Sequence, residues 1–426
     1  MPGDDQTRLG RDFGLLWSGQ TVSQLGSMVT TVALPLVVVL WLHGSTFEVG
    51  LVEALQWLPT AVIGLPVGAW ADRRHKRPLL IIANLGQAAA LGSVPVAAAL
   101  GRLTMAQVLA VALIIGLFEL VFQVSYGNYL RSLVPRALLR LANTRSQAAQ
   151  SATRVGGPGL AGILVSAFGA PFALVADAAS FVVSTVALLT IRGAEPPESR
   201  SERTTSYRAA IRDGLAFTFR DPLLRDLTVS ASLANMCLTA IGAIEIPYLA
   251  RNLGASAAAI GAVVAIGSIG GVAAAAATGR LTRLLGDGRL AWLALTCTAP
   301  FGLLLPAAGR GSGLALFVVG LAFLEGGIVI SSIVINTFRQ SYCPHDMLGR
   351  VSASMQTLQL GLVPVGALAG GALASWAGNR AGLWILCIAN LAPAVWRLMS
   401  PRMRRRDLPE EPSVQPGAAS SRQPAQ

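Results

Sequence analysis

The sequence predicts an all-α polytopic membrane protein with twelve transmembrane helices in two pseudo-symmetric six-helix bundles. Three observations predict it: an apolar, charge-poor composition, apolar segments that recur at span length, and an ordered series of residues that repeats between the two halves. Of 426 residues, 53% are hydrophobic and only 13% are charged, too apolar for an ordinary soluble protein.

About 20 residues cross the hydrocarbon at 1.5 Å rise each. On that measure spans fall near 14–42, 48–71, 79–100, 105–133, 142–168 and 171–192, then near 224–250, 256–280, 290–308, 314–341, 351–375 and 381–399. The first eleven residues are polar, and the apolar run after them is too long for a signal-peptide core. It is expected to remain as the first span. Residues 1–192 thus read as one bundle and 223–400 as the other. Between them, 193–222 is a cytoplasmic linker, because Glu195, Glu198, Arg200, Glu202, Arg203 and Arg212 are too charged to cross. Residues 401–426 open on Arg402, Arg404, Arg405 and Arg406, a stop-transfer anchor, and continue as a Pro/Ser/Gln tail too polar to order itself.

The net charge of +12 raises nucleic-acid binding for a soluble chain, but its distribution argues against that. Of 33 Lys and Arg, Arg102, Arg251, Arg310 and Arg380 fall on outside loops, Arg154 falls mid-span, and the rest are cytoplasmic when the N-terminus is inside. This is the positive-inside asymmetry, and it predicts a multi-pass inner-membrane protein with both termini cytoplasmic. Cys237, Cys297, Cys343 and Cys387 are widely separated, without metal-ligand spacing, and read as unpaired thiols.

The halves repeat. Asn128 and Arg131 recur as Asn336 and Arg339, Pro135 as Pro344, Arg140 as Arg350, Pro158 as Pro364, Gly162 as Gly370 and Glu119 as Glu325, at offsets of 206 to 210 residues. Pro35 in the first span is answered by Pro247 in the seventh. Duplicated bundles facing a midplane cavity suit alternating access, in which one half rocks against the other.

The loop after the second span carries Gly68, Asp72, Arg73, Arg74, His75, Lys76 and Arg77. It resembles the loop signature of the major facilitator superfamily, although that family usually has a glycine at or beside His75. Glycine serves close helix approach, and an aspartate among basic residues can latch the cytoplasmic side shut. The resemblance therefore marks Gly68, Asp72, Arg73 and Arg77 as the latch. The equivalent loop of the second half, Gly279 to Arg289, lacks the aspartate. In the fifth span, Gly157, Pro158 and Gly162 resemble the Gly-Pro motif of drug:proton antiporters, with Ala161 and Thr153 where that family has glycines. Proline frees a carbonyl and small residues allow a tight interface. The segment Pro344 to Val351, with Asp177 to Phe181, is similar to the twelve-helix branch containing macrolide-efflux and enterobactin-exporter proteins. That resemblance implies export.

A charge at the bilayer midplane costs about 3 kcal/mol or more, so acids within spans are functional candidates. Five qualify: Glu53, Glu119, Asp177, Glu245 and Glu325. Desolvation moves a carboxyl toward neutral titration, which proton-driven antiport requires. Glu119 and Glu325 are deep and correspond between the halves, so they lead. Asp177 and Glu53 read as near span ends, and Glu245 sits beside Pro247. Gln20, Gln24, Ser27 and Thr31 share one helical face. With Trp57, Phe122, Tyr126 and Asn235 they are the expected walls of a mixed polar and aromatic cavity suited to small amphipathic cargo.

The expectation is a proton-coupled exporter acting as a monomer in the bilayer, with protons and a small-molecule substrate as partners and no cofactor beyond the proton gradient. Uptake of a metabolite on the same fold is the nearest alternative. An enzyme lacks support: His43, His75 and His345 show neither metal spacing nor an adjacent nucleophile. A nucleotide-driven pump needs a Gly-Lys-Ser/Thr loop, and the only lysine, Lys76, is followed by Arg77. The soluble stretches are short for a sensor output domain.

Overall fold

The computed structural model describes residues 9–193 and 207–399, all helix and short connections. The first half contains α1 (Arg11–Leu36), α2 (Thr46–Asp72), α3 (Lys76–Ala99), α4 (Met105–Leu133), α5 (Leu139–Phe168) and α6 (Ala170–Thr190). After α7 (Tyr207–Arg220), the second half contains α8 (Pro222–Pro247), α9 (Ala257–Leu285), α10 (Asp287–Thr298), α11 (Leu304–Ala307) and α12 (Leu314–Tyr342). It ends with α13 (His345–Gly361), α14 (Val363–Ala377), α15 (Asn379–Ala389) and α16 (Leu391–Met399). The pairs α10 and α11, α13 and α14, and α15 and α16 each make one broken span.

Starts and stops follow local chemistry. Ser45 Oγ accepts from the Glu48 amide at 3.3 Å while Glu48 Oε2 accepts from the Ser45 amide at 2.6 Å, a reciprocal cap that starts α2. Asp221 Oδ1 accepts from the amides of Leu223 and Leu224, both at 3.0 Å, to start α8.

The repeat is written into the backbone. Pro35 and Pro247 are each followed by a five-residue π-helical turn, Val37–Trp41 and Tyr248–Asn252. Pro135 and Pro344 precede their helices at φ −53° and −54°, both with ψ 143°. The corners α5–α6 and α14–α15 turn on Gly169 and Gly378 at φ 86° and 87°, backbone open essentially to glycine alone.

Among the described residues ten spans are long and apolar enough to cross a membrane, and α2, bent by 66° near Pro66, makes eleven when its two parts count as one span. Hydropathy therefore stops one short of the twelve expected. The remaining helix, α5, has 30 residues and ample length. Arg140, Arg145, Gln147, Gln150 and Arg154 make its first half too polar for the same test. In the segment read as a linker, α7 is a helix that packs on α13: Gly214 lies against the Arg350 carbonyl and Asp213 is 3.7 Å from Arg350. The charged stretch Glu195–Arg203 and residues 401–426 lie outside the described residues.

Loops alternate between an arginine-rich end (73–75, 134–138, 343–344) and an arginine-poor end (42–45, 253–256, Gly378). The core differs between them. Toward the arginine-poor end a single apolar cluster joins both halves, with Val38, Val49 and Val165 of one beside Ile244, Ile260 and Ala374 of the other. Toward the arginine-rich end the clusters keep to one half each: Phe13, Leu80 and Leu188 in the first, Phe217, Phe338 and Met355 in the second.

Candidate functional site: a polar cavity and two groups of acids

Side-chain hydrogen bonds across the halves follow the same division. Thr46 Oγ1 donates to Asn379 Oδ1 at 2.7 Å, the Phe47 amide donates to Ser375 Oγ at 2.9 Å, and Arg251 donates to the carbonyls of Gly44 and Val39. All lie at the arginine-poor end. The Gly-Pro motif supplies the seam beneath them. A Cβ on Gly162 would stand 2.7 Å from the Ala257 carbonyl oxygen and 3.0 Å from Gly261 Cα, so α5 and α9 touch backbone to backbone. Gly157 instead faces a side chain: a Cβ there would stand 2.3 Å from Met28 Cβ of α1.

A cavity of about 660 Å³ lies within the first half, running from Trp17 and Asn143 near the arginine-rich end to Thr31 and Asp177. The polar face foreseen on α1, Gln20, Gln24, Ser27 and Thr31, lines it, as do Phe122 and Tyr126, whose rings stack at 5.7 Å. Glu119 lines it too, its Oε1 accepting from Gln123 Nε2 at 2.8 Å. Asp177, two turns into α6, lines the cavity as well: it is 1% exposed and takes hydrogen bonds from Thr30 and Ser180.

Other expected walls are elsewhere. Trp57 is not on the lining; its neighbour Gln56 is, because one residue turns a helix by about 100°. Asn235 instead ties α8 to α13, donating to the Gln359 carbonyl at 3.2 Å. Sequence reasoning missed Asn84, Gln87, Asn143, Gln147 and Gln150. The last three and Arg154 recur at helical spacing along α5, a signal that was available.

The other acids form a second group, from α2, α8 and α12. Glu245 interacts electrostatically with Glu325 and with the half-buried Glu53. Glu245 Oε1 is buried with no hydrogen-bond partner among the described residues. Glu325 packs on Gly271 of α9 and feels the charge of Arg154 from the other half. The ladder of contacts from Gly162–Gly261 to Gly159–Ala265 brings Arg154 toward that level. Below Glu325, Arg339 Nη2 donates to Asn336 Oδ1 at 2.8 Å, and Asn336 donates to Ser332 at 3.3 Å.

The loop expected to latch is fastened within its own half. Asp72 accepts from Asn128 at 3.1 Å, Lys76 donates to the carbonyls of Ala71 and Asp72 at 2.9 Å, and Arg77 donates to those of Leu188 and Leu189 at 3.0 Å. Arg73 is exposed. Gly68 makes no close approach here: a Cβ would meet nothing within 4 Å, because the arginine-rich end is open around it.

Residues 16–363 match the Major Facilitator Superfamily. The chain belongs to that family. It is a multi-span membrane transporter, not an enzyme. It is 28% identical over 399 residues to the multidrug efflux pump Tap of Mycolicibacterium fortuitum, covering 91% of this chain and 95% of Tap. It is also 22% identical over 394 residues to macrolide efflux protein A of Streptococcus pyogenes, covering 90% and 95%. Among solved structures, the nucleoside transporter NupG superposes with a TM-score of 0.74 at 11% identity, covering 91% and 98%. That likeness concerns the fold alone.

Proposed function

We propose that this transporter exports small amphipathic molecules across the plasma membrane in exchange for protons, by alternating access, as a monomer with both termini cytoplasmic. The proton gradient is its energy source and no cofactor takes part. The observation that carries the reading is the pairing of a one-ended core with acids inside the protein. Among the described residues, the buried apolar cluster and the side-chain hydrogen bonds that join the halves lie toward the arginine-poor end, which the positive-inside rule assigns to the outside. A cavity whose polar walls include Glu119 and Asp177 lies behind that closed end. The names of the efflux relatives favour export of drug-like cargo.

In this reading Glu119 and Glu325 carry protons, and Glu53, Glu245 and Asp177 set the field around them. Asp72, Arg73 and Arg77 serve as the cytoplasmic latch once the arginine-rich end closes, releasing cargo outward. The test uses everted vesicles and a radiolabelled macrolide. An imposed inside-acid gradient is expected to drive accumulation, and Glu119→Gln is expected to abolish it at equal abundance. Accumulation without any pH gradient would remove proton coupling. Gradient-driven accumulation in right-side-out vesicles alone would turn the reading to uptake.

A further inference from the structure

Three amide side chains share the cavity wall on helices that both pack on α6: Gln20 from α1, and Asn84 and Gln87 from α3. Asn84 is 0% exposed and Gln87 1% exposed. Asn84 Nδ2 donates to Ser184 Oγ at 2.9 Å, which fixes the amide on α6 through its nitrogen. Among the described residues, Asn84 Oδ1, Gln20 Oε1 and Gln87 Nε2 are buried and have no hydrogen-bond partner. Burying polar atoms in this state is unfavourable, so each of the three calls for a partner that the protein's own side chains do not supply. The carboxylates of the same cavity differ. Glu119 is held by Gln123, and Asp177 by Thr30 and Ser180.

We propose that Gln20, Asn84 and Gln87 form a neutral hydrogen-bonding subsite for the hydroxyl-bearing end of the cargo, a sugar or other vicinal diol. This deepens the export reading and rests on the cavity being the cargo site. The count of groups fits. Two hydroxyls donate to the two free acceptors, Asn84 Oδ1 and Gln20 Oε1, and one hydroxyl oxygen accepts from Gln87 Nε2. A lipophilic cation offers no donor to those acceptors and no acceptor to that donor. The aromatic pair Phe122 and Tyr126, on the same cavity, receives the apolar body of the molecule. The transporter therefore selects glycosylated amphiphiles over their aglycones.

The test is binding to the full chain in lipid nanodiscs, by equilibrium dialysis, with three probes: methylumbelliferyl β-glucoside, methylumbelliferone and tetraphenylphosphonium. The glucoside is expected to bind roughly tenfold more tightly than the aglycone, since a site built for hydroxyls penalises analogues without them. Asn84→Leu and Gln87→Leu are each expected to bring the two near parity. Should Asn84→Leu fail to fold, Gln20→Leu, at a half-buried position, carries the same test. The proposal is overturned if the wild type shows no saturable glucoside binding, binds the aglycone or the phosphonium as tightly, or keeps its preference in the folded variants. Binding needs no gradient, so failure of vesicle transport does not decide this question, and loss of the glucoside preference leaves export standing.

Discussion

The two halves share a backbone plan but not a division of labour. The glycine corners at 169 and 378, the proline entries at 135 and 344 and the paired π turns superimpose one half's geometry on the other's. Side chains at matched positions diverge. Pro158 lies inside the continuous α5, whereas its counterpart Pro364 opens α14 after a break at Leu362, where a missing amide costs nothing. Glu119 lines the cavity beside Gln123, whereas Glu325 feels the charges of Arg154 and of Glu245. Leu188 fills the core of the first half; at the same offset as the glycine corners, the second half buries Arg397. Duplication preserved the scaffold that turns chains and seats helices, and left the interiors free to take separate roles.

The largest effect should come from the matched acids. Glu119→Gln and Glu325→Gln are each expected to cut gradient-driven transport by roughly a hundredfold, the scale on which loss of a proton-transfer group acts. Their responses to Arg154→Gln should differ. Adding it to Glu325→Gln is expected to be strongly non-additive, because Arg154 then has lost the acid it faces, whereas on Glu119→Gln it should add independently. Vesicle transport at matched abundance measures both. Retained transport in Glu325→Gln would make the acid group of α2, α8 and α12 structural and confine coupling to the first half.

Arg397 gives the next contrast. Its Nε donates to Ser230 Oγ at 2.9 Å and its Nη1 donates to the Ala291 carbonyl at 2.8 Å and to Ser331 Oγ at 2.7 Å, tying α16 to α8, α10 and α12. Arg397→Ala removes these bonds and leaves a void, and is expected to cost about 2–4 kcal/mol. Arg397→Leu keeps more volume and buries no charge, so it should cost less. Leu188→Ala, in the half without the arginine, should cost about 2–5 kcal/mol through the cavity alone. Thermal unfolding in detergent ranks all three. An unchanged midpoint in Arg397→Ala would show that the guanidinium does not brace the second bundle.

The fold was legible because spans and repeats depend on properties summed over many residues. The α1 face was legible for a related reason: four polar side chains at helical spacing stand out against an apolar helix. Asn84 and Gln87 were not, since two isolated amides in the apolar α3 look like ordinary interhelical hydrogen bonding, and only the fold shows that part of each amide goes unused. Arg397 lies at the end of its span, where the charge count groups it with the cytoplasmic arginines; its burial depends on Ser230 and Ser331, more than 60 residues away. Charge in 207–220 argued against a span, but it says nothing against a helix docked on α13. The sequence places Asp177 near its span end but does not reveal that Thr30 of α1 stands opposite.

The smallest effect tests the openness of one end against the closure of the other. A Cβ on Gly162 runs into the backbone of α9, so Gly162→Ala is expected to destabilise by about 1–3 kcal/mol. Gly159→Ala, whose nearest neighbour would be Ala265 Cβ at 3.7 Å, should be close to neutral. Gly68→Ala meets open space and is expected to raise stability slightly, by up to about 1 kcal/mol, since alanine is the better helix residue. Its transport should nevertheless fall severalfold, because closing the arginine-rich end brings α2 against the opposite half and the added methyl then stands in the contact. A Gly68→Ala protein that is more stable and transports at the wild-type rate would mean that Gly68 takes no part in the closed latch.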